Sequence, residues 1–213
     1  MLTKINSPTP PPRSVSDLIE ETGDLVADSL TTISSLVRLR AARQNPADDA
    51  KTFLMEMADR INTIAKLNRL VAQSNTGTVR LDKYLREICE WLAGVRASDG
   101  ILLSVACSPE HVVPFTVALP LGLITAELFS NSLKYAHPSG LPVKITLSCG
   151  LSAENGMRLV YEDDGVGFSE GFDIAEDGHL GMHFIRLLCE QLKGTHEWLS
   201  DPLGVRFDLS MPK

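Results

Sequence analysis

The chain has 213 residues, 44% of them hydrophobic and 22% charged, a balance that supports a packed core and excludes wholesale disorder. Twenty basic against twenty-seven acidic residues leave a formal charge of −7 with no dense Lys/Arg run, which argues against nucleic acid or an anionic membrane surface as a partner. No apolar stretch of the roughly 18–20 residues needed to cross a bilayer stands out, and the first residues lack an apolar signal core, so a cytoplasmic protein with no membrane segment is expected. The four cysteines, Cys89, Cys107, Cys149 and Cys189, lie far apart in apolar contexts. They are expected to be reduced, buried thiols rather than disulfides or metal ligands.

Residues 1–13, MLTKINSPTPPPR, are proline-rich and polar, and predict an extended, poorly ordered arm. From Ser14, an N-cap residue, to about Gln44, the apolar residues Val26, Leu30, Ile33 and Val37 recur at spacings of four, three and four. That is the stripe of an amphipathic helix. Asn45-Pro46 caps and opens a second helix. Up to Gln73 its residues Leu54, Met57, Ile61, Ile64, Asn68 and Val71 follow a/d spacing, with Leu67 beside the one polar member. Two helices of about 28 residues joined by a tight turn make an antiparallel hairpin about 40 Å long. Its apolar face exceeds what the hairpin itself covers, so a four-helix bundle with a second copy is expected. The alternative is packing against the rest of the same chain.

The pattern changes after Ser74-Asn75-Thr76-Gly77. Residues 81–95 predict a helix, 101–107 a strand, and 121–136 a helix opened by Pro120. Two strands, 143–149 and 157–163, flank a turn containing Asn155-Gly156. A polar loop over 168–178 leads to a helix over 180–192, and strands 195–200 and 205–211 close the chain around Asp201-Pro202. Helices set among strands that pair mostly by hairpins predict an α+β fold: one mixed sheet with helices on one face. The domain plan is an arm over 1–13, a helical hairpin over 14–76 and an α/β sandwich over 77–213.

Three short stretches carry chemistry. Within AELFSNSLKYAHP, Glu127 and Asn131 are four apart, on one face of a helix and one turn from each other. A carboxylate and an amide so placed can hold a divalent ion and orient a group beside it; a solvated polar pair is the plain alternative. EDDGVGF, residues 162–168, leaves the strand RLVY. A carboxylate at a strand end followed by alternating glycines lets backbone approach a ligand while the acid accepts from an exocyclic amine; a solvated acidic turn is the alternative. Gly178-His179-Leu180-Gly181-Met182 opens a helix behind a glycine, where free N–H groups and the helix dipole meet phosphate, or where glycine merely caps.

In this order and spacing the three stretches resemble the ATP-binding domain shared by histidine kinases, type II topoisomerases and heat-shock chaperone ATPases. ELFSNSLKYAHP is similar to the N-box, EDDGVGF to the first glycine box, GHLGMHFIRLLCEQLKG to the second, and DPLGVRFDLSMP to the closing strands. The short interval from Phe168 to Gly181, with SEGFDIAED as lid, resembles the HWE-like bacterial histidine kinases. DSLTTISSLVRLRAARQNP and RINTIAKLNRLV are similar to the two helices of their dimerisation hairpin, and the resemblance covers about residues 20–212. It implies ATP and Mg²⁺ as cofactors, with Asn131 on Mg²⁺ and phosphate and Glu127 polarising the reacting group. It further implies Lys134 near phosphate, Asp163 accepting from the adenine amine, Gly165 and Gly167 shaping the base pocket, and Gly181 admitting the phosphates.

The pattern breaks at the phosphoacceptor. Relatives carry a histidine in the first hairpin helix, and here the same register places Asp24, or its neighbour Gly23. The five histidines, His111, His137, His179, His183 and His196, all lie outside the hairpin. A carboxylate is a poor nucleophile toward ATP and yields a high-energy acyl phosphate, so self-phosphorylation at the usual place is not expected. His179 in the second glycine box, and Val205 where relatives carry threonine, are smaller departures that bear on nucleotide affinity. The resemblance implies a homodimeric two-component signalling protein that binds ATP and Mg²⁺ and acts through a response-regulator receiver domain or another signalling protein. The alternatives are a kinase that phosphorylates a partner's serine or histidine in trans, a phosphorelay protein with a vestigial ATP domain, and a dimer module that binds no nucleotide.

Overall fold

The computed structural model describes Val37 and residues 50–72, 77–96, 100–137, 141–151, 156–174 and 180–212. The arm over 1–13, the first hairpin helix apart from Val37, Asp24, Gly178 and His179 lie outside the described residues. Helix α1 (Ala50–Ala72) is followed by β1 (Thr78–Arg80), α2 (Leu81–Arg96), β2 (Ile101–Cys107), β3 (Val112–Pro114) and α3 (Phe115–Tyr135). Then come β4 (Val143–Leu151), β5 (Met157–Asp163), α4 (Leu180–Gln191), β6 (Thr195–Asp201) and β7 (Gly204–Met211).

Five strands form one mixed sheet in the order β2-β4-β5-β7-β6. β2 runs parallel to β4, and every other pair is antiparallel. A parallel pair cannot be closed by a tight turn, so the chain between β2 and β4 must cross over a face of the sheet. That crossover is α3. Flanked by α1, α2 and α4, it is the most buried helix, with Leu121, Ile124, Thr125 and Phe129 fully covered. Facing it are the alternate residues Ile145 and Leu147 of β4, Leu159 and Tyr161 of β5, and Phe207 and Leu209 of β7, all buried. The fold is α+β with helices layered on one face of the sheet.

Four sequence expectations need correction. Pro120 does not open α3, which begins at Phe115 after Pro114. Its missing N–H costs only the bond to the Thr116 carbonyl, in the second turn, where burial of Ala118, Leu119 and Leu121 offsets the loss. α3 is also long and apolar enough to cross a membrane by length and composition, with a window of mean hydropathy 1.2, of which 72% is buried in the protein; its apolarity is that of a core helix enclosed on all sides. β1 and β3 pair antiparallel as a second, two-stranded sheet, each strand too short for alternation to register in sequence. Cys107 and Cys149 are joined as a disulfide: the parallel register sets them directly opposite on β2 and β4, a proximity that 42 intervening residues conceal. Cys89 and Cys189 are free and buried, and burial pushes both thiols up to about 12.

The apolar series of α1 divides between two environments. Met57, Ile64, Leu67, Leu70 and Val71 are buried, whereas Leu54, Met55 and Ile61 are exposed. Ile64, Leu67, Leu70 and Val71 join the core cluster, and α1 packs on α3 of the same chain.

Candidate nucleotide site

Three consecutive acidic residues at the end of β5 have three different fates, decided by strand parity. Leu159, Tyr161 and Asp163 share the face toward the helices, so Asp163 is the last member of a buried row. Glu162 points to the other face and pairs with Arg206 on β7 (2.6 Å). Asp164, past the strand, accepts from the Lys144 backbone N–H (2.8 Å) and lies 3.1 Å from His137 Nε2.

Asp163 is held by three donors. Its Oδ1 accepts from the backbone N–H of Gly165 (3.0 Å) and of Val205 (3.3 Å), and its Oδ2 from the Ser132 hydroxyl (2.6 Å). The Tyr161 hydroxyl donates in turn to Ser132 Oγ (2.9 Å); burial pushes that phenol well above its ordinary pKa, which keeps it a donor. An ionised carboxylate has about four acceptor positions, so one position on Oδ2 stays open. Asp163 lines a cavity of about 210 Å³ with Asn131, Ser132, Gly167, Phe168, Phe172 and Trp198. Phe168 and Phe172 are stacked at 5.0 Å, and Trp198 lies 5.9 Å from Phe168 and 4.7 Å from Phe207. One unused acceptor among flat aromatic walls suits a planar, hydrogen-bond-donating ring.

The loop after β5 is shaped by its glycines. A Cβ at Gly165 would lie 2.5 Å from Ala136 Cα, where Val166 N–H also donates to the Ala136 carbonyl (2.9 Å); the loop therefore sits directly on the end of α3. Gly167 has φ +73°, and a Cβ there would lie 2.1 Å from the Asp201 carbonyl oxygen. Next to it, Phe168 N–H donates to Ser200 Oγ (2.7 Å), turning its ring into the cavity wall. Val205 acts on Asp163 through its backbone, so the side-chain difference from relatives leaves that contact intact.

Glu127 lies elsewhere. It does not line the aromatic cavity; both its oxygens accept from Arg60 of α1, from Nη2 at 2.7 Å and Nε at 3.2 Å. A second cleft of about 30 Å³ contains Arg60, Thr63, Glu127, Ser130 and Lys134, and a Cβ at Gly181 would fall 1.9 Å from Glu127 Oε1. The structure thus brings Asn131, Asp163 and Gly167 to the cavity, packs Gly165 behind it, and sets Glu127, Lys134 and Gly181 around the cleft on the other flank of α3. Ser132, Tyr161, Phe172, Trp198 and Arg60 were not singled out from sequence. Ser132 beside Asn131, and Tyr161 two residues before Asp163, were accessible by parity, whereas no spacing pointed to Arg60. Among the described residues no cluster of three or more His, Cys, Asp or Glu side chains is placed to hold a metal, so Mg²⁺ here would rest on Asn131, nucleotide oxygens and water.

Residues 26–95 match the histidine kinase family model HisKA_2. The chain is similar to histidine kinases. It is 26% identical over 179 residues to sensor histidine kinase PdtaS of Mycobacterium tuberculosis, covering 83% of this chain and 35% of that protein. It is 22% identical over 169 residues to blue-light-activated histidine kinase 2 of Erythrobacter litoralis, covering 78% and 49%. The structure of the Erythrobacter litoralis EL346 blue-light activated histidine kinase shares the fold, with a TM-score of 0.75 at 18% identity over 94% of this chain and 61% of that one. The chain therefore spans between about a third and a half of the length of those curated proteins. The family match begins at residue 26, two positions after Asp24.

Proposed function

We propose that this chain is a homodimeric two-component signalling protein of the cytoplasm, with the hairpin over 14–76 as its dimerisation part and 77–213 as its nucleotide-binding part. It binds ATP with Mg²⁺, does not phosphorylate itself at the usual position, and acts on a partner, a response-regulator receiver domain or another signalling protein. The observation that carries the reading is Asp163: a carboxylate fixed by three donors, with one acceptor position left open toward an aromatic-walled cavity. That position suits the exocyclic amine of adenine, with the ring between Phe168, Phe172 and Trp198. Asn131, at the edge of the same cavity, is placed to meet Mg²⁺ and phosphate. The nucleotide would supply the transferable phosphoryl group, while the chain's own residues orient it and exclude water from the base.

The test is titration with ATP and Mg²⁺, followed by incubation with γ-labelled ATP alone and with receiver domains. A ligand at a hundredfold its Kd stabilises by about 2.7 kcal/mol, a rise of several degrees in Tm for a chain of this size. No binding heat and no rise would refute the reading. Label on the hairpin of the isolated protein would refute the missing-acceptor part alone.

A further inference from the structure

Arg60 occupies an unusual place. At about 100° per residue, the buried side chains of α1, from Leu70 through Leu67 and Val71 to Met57, span an arc of about 140°, and Arg60 lies within it. A guanidinium there needs a partner, and Glu127 supplies one across 67 residues of chain. The two side chains are only 12% and 11% exposed. The match is incomplete: Arg60 Nη1 is buried with no hydrogen-bond partner among the described residues. A buried ion pair with an unsatisfied donor recovers less of its desolvation cost than a fully bonded one, and such a pair is poised to open.

Glu127 also lies beside two positions assigned to the nucleotide, Asn131 and Gly181. It precedes Asn131 by one helical turn, about 40° around α3, so the two side chains stand on one flank of the helix, and Asn131 lines the cavity. Gly181, in the first turn of α4, is pressed against its Oε1. We propose that Arg60 and Glu127 form a releasable clasp between α1 and the nucleotide-binding unit, which keeps the Glu127 carboxylate out of the cavity until Arg60 lets go. In the clasped state Glu127 carries no net field toward Asn131. Once released, it adds one negative charge at the phosphate edge of the site, repelling free ATP and favouring the Mg²⁺-bound form. The inference rests on the nucleotide-binding reading for its consequence, and on the ion pair for its existence.

Hydrogen exchange and calorimetry on the full chain separate the two. Wild type, Arg60→Met, Glu127→Gln, the double variant and the charge swap Arg60→Glu/Glu127→Arg are compared without nucleotide. Each single variant should speed exchange over residues 57–64 about fivefold or more, with the double variant adding nothing further and the swap restoring protection. Exchange in β4 and β5 should not change, which distinguishes release from unfolding. Affinity for ATP without Mg²⁺ should fall about fivefold in Arg60→Met and not in the double variant. Equal exchange in all five forms overturns the clasp even if ATP binds. Absence of ATP binding in the wild type, with exchange as expected, leaves the clasp standing as a contact and overturns both the nucleotide reading and the charge effect built on it.

Discussion

Replacing Asp163 by asparagine keeps the shape of the side chain and changes its hydrogen-bond signs. The carboxylate uses three acceptor positions on Gly165, Val205 and Ser132; the amide has two acceptor positions, on Oδ1, and two donors on Nδ2. If Oδ1 stays on the two backbone N–H groups, Nδ2 faces Ser132. That hydroxyl then accepts from both Tyr161 and Asn and turns its own proton away. The second Nδ2 hydrogen faces the cavity, where the adenine amine also presents a hydrogen. A hydrogen bond to a charged group is worth about 1.5–3 kcal/mol, and an unsatisfied donor costs about 1 kcal/mol or more, so the loss for ATP is about 3 kcal/mol, or roughly a hundredfold in Kd. Guanine carries a carbonyl oxygen at the corresponding position, and the same substitution replaces a lone-pair repulsion by a hydrogen bond, so GTP should bind no worse. Calorimetric titration of ATP and GTP with Mg²⁺, with circular dichroism to verify the fold, decides it. Equal losses for the two nucleotides, or an ATP loss below about threefold, would refute the placement of the base on Asp163.

Leu67→Ala empties a fully buried site between α1 and α3 and should cost about 2–5 kcal/mol, read as a fall in Tm; an unchanged Tm would show that α1 does not pack there. Ile61→Glu charges the exposed seam of α1 and should halve the mass seen by light scattering, with a lower Tm as the partner's stabilisation is lost; an unchanged mass counts against the bundle. Ile33, its counterpart in the first helix, lies outside the described residues. In acid, the Arg158 guanidinium holds Asp208 below its ordinary pKa against the upward push of burial, with Arg206 adding to the effect. Burial pushes Asp164 upward too, but the Lys144 N–H and His137 outweigh it. A carboxylate depressed in the folded state contributes stability above its unfolded pKa of about 3.9 and loses it as pH falls through the folded value. Tm should therefore drop below about pH 4, with a shallower acid limb in Asp208→Asn; identical limbs would show that the pair carries no such linkage.

Most strands were legible because their faces differ. In β2 and β5 the observed bounds coincide with the expected ones, and Asn131, Asp163 and Gly167, grouped by the resemblance of the N-box and glycine loop, line one cavity. What escaped the sequence was contact between distant segments. Nothing in the local pattern of α1 says that Arg60 meets Glu127, because i,i+4 spacing reports only which side chains share a helix face. The same spacing put Glu127 beside Asn131 and concealed that its carboxylate is turned to another helix. Cys107 and Cys149 escaped for a related reason: parallel register is set by a crossover helix, and its result cannot be read from either strand. Pro120 misled because proline marks a helix start well and a second-turn position badly.

The two expectations for α1, packing against a second copy and packing against its own chain, are not exclusive. Placed at about 100° per residue, the buried side chains occupy an arc of about 140°, and Asn68, Ile61 and Leu54 continue it by a further 60° or so on one side. An apolar arc of about 200° is wider than one neighbouring helix covers. The part on α3 is already filled by Ile64, Leu67, Leu70 and Val71, which leaves the Leu54–Ile61 edge for a different neighbour. A second copy is a partner that edge can meet, about 100–120° around α1 from Arg60. A change in packing on that edge therefore rotates or shifts the helix that carries the ion pair to α3. Because packed interfaces have discrete arrangements rather than continuous ones, such a shift either keeps Arg60 on Glu127 or breaks the contact. A helix with two apolar neighbours and one charge on it would thus let packing at one edge act on the Arg60–Glu127 contact without any residue of the cavity itself belonging to the hairpin.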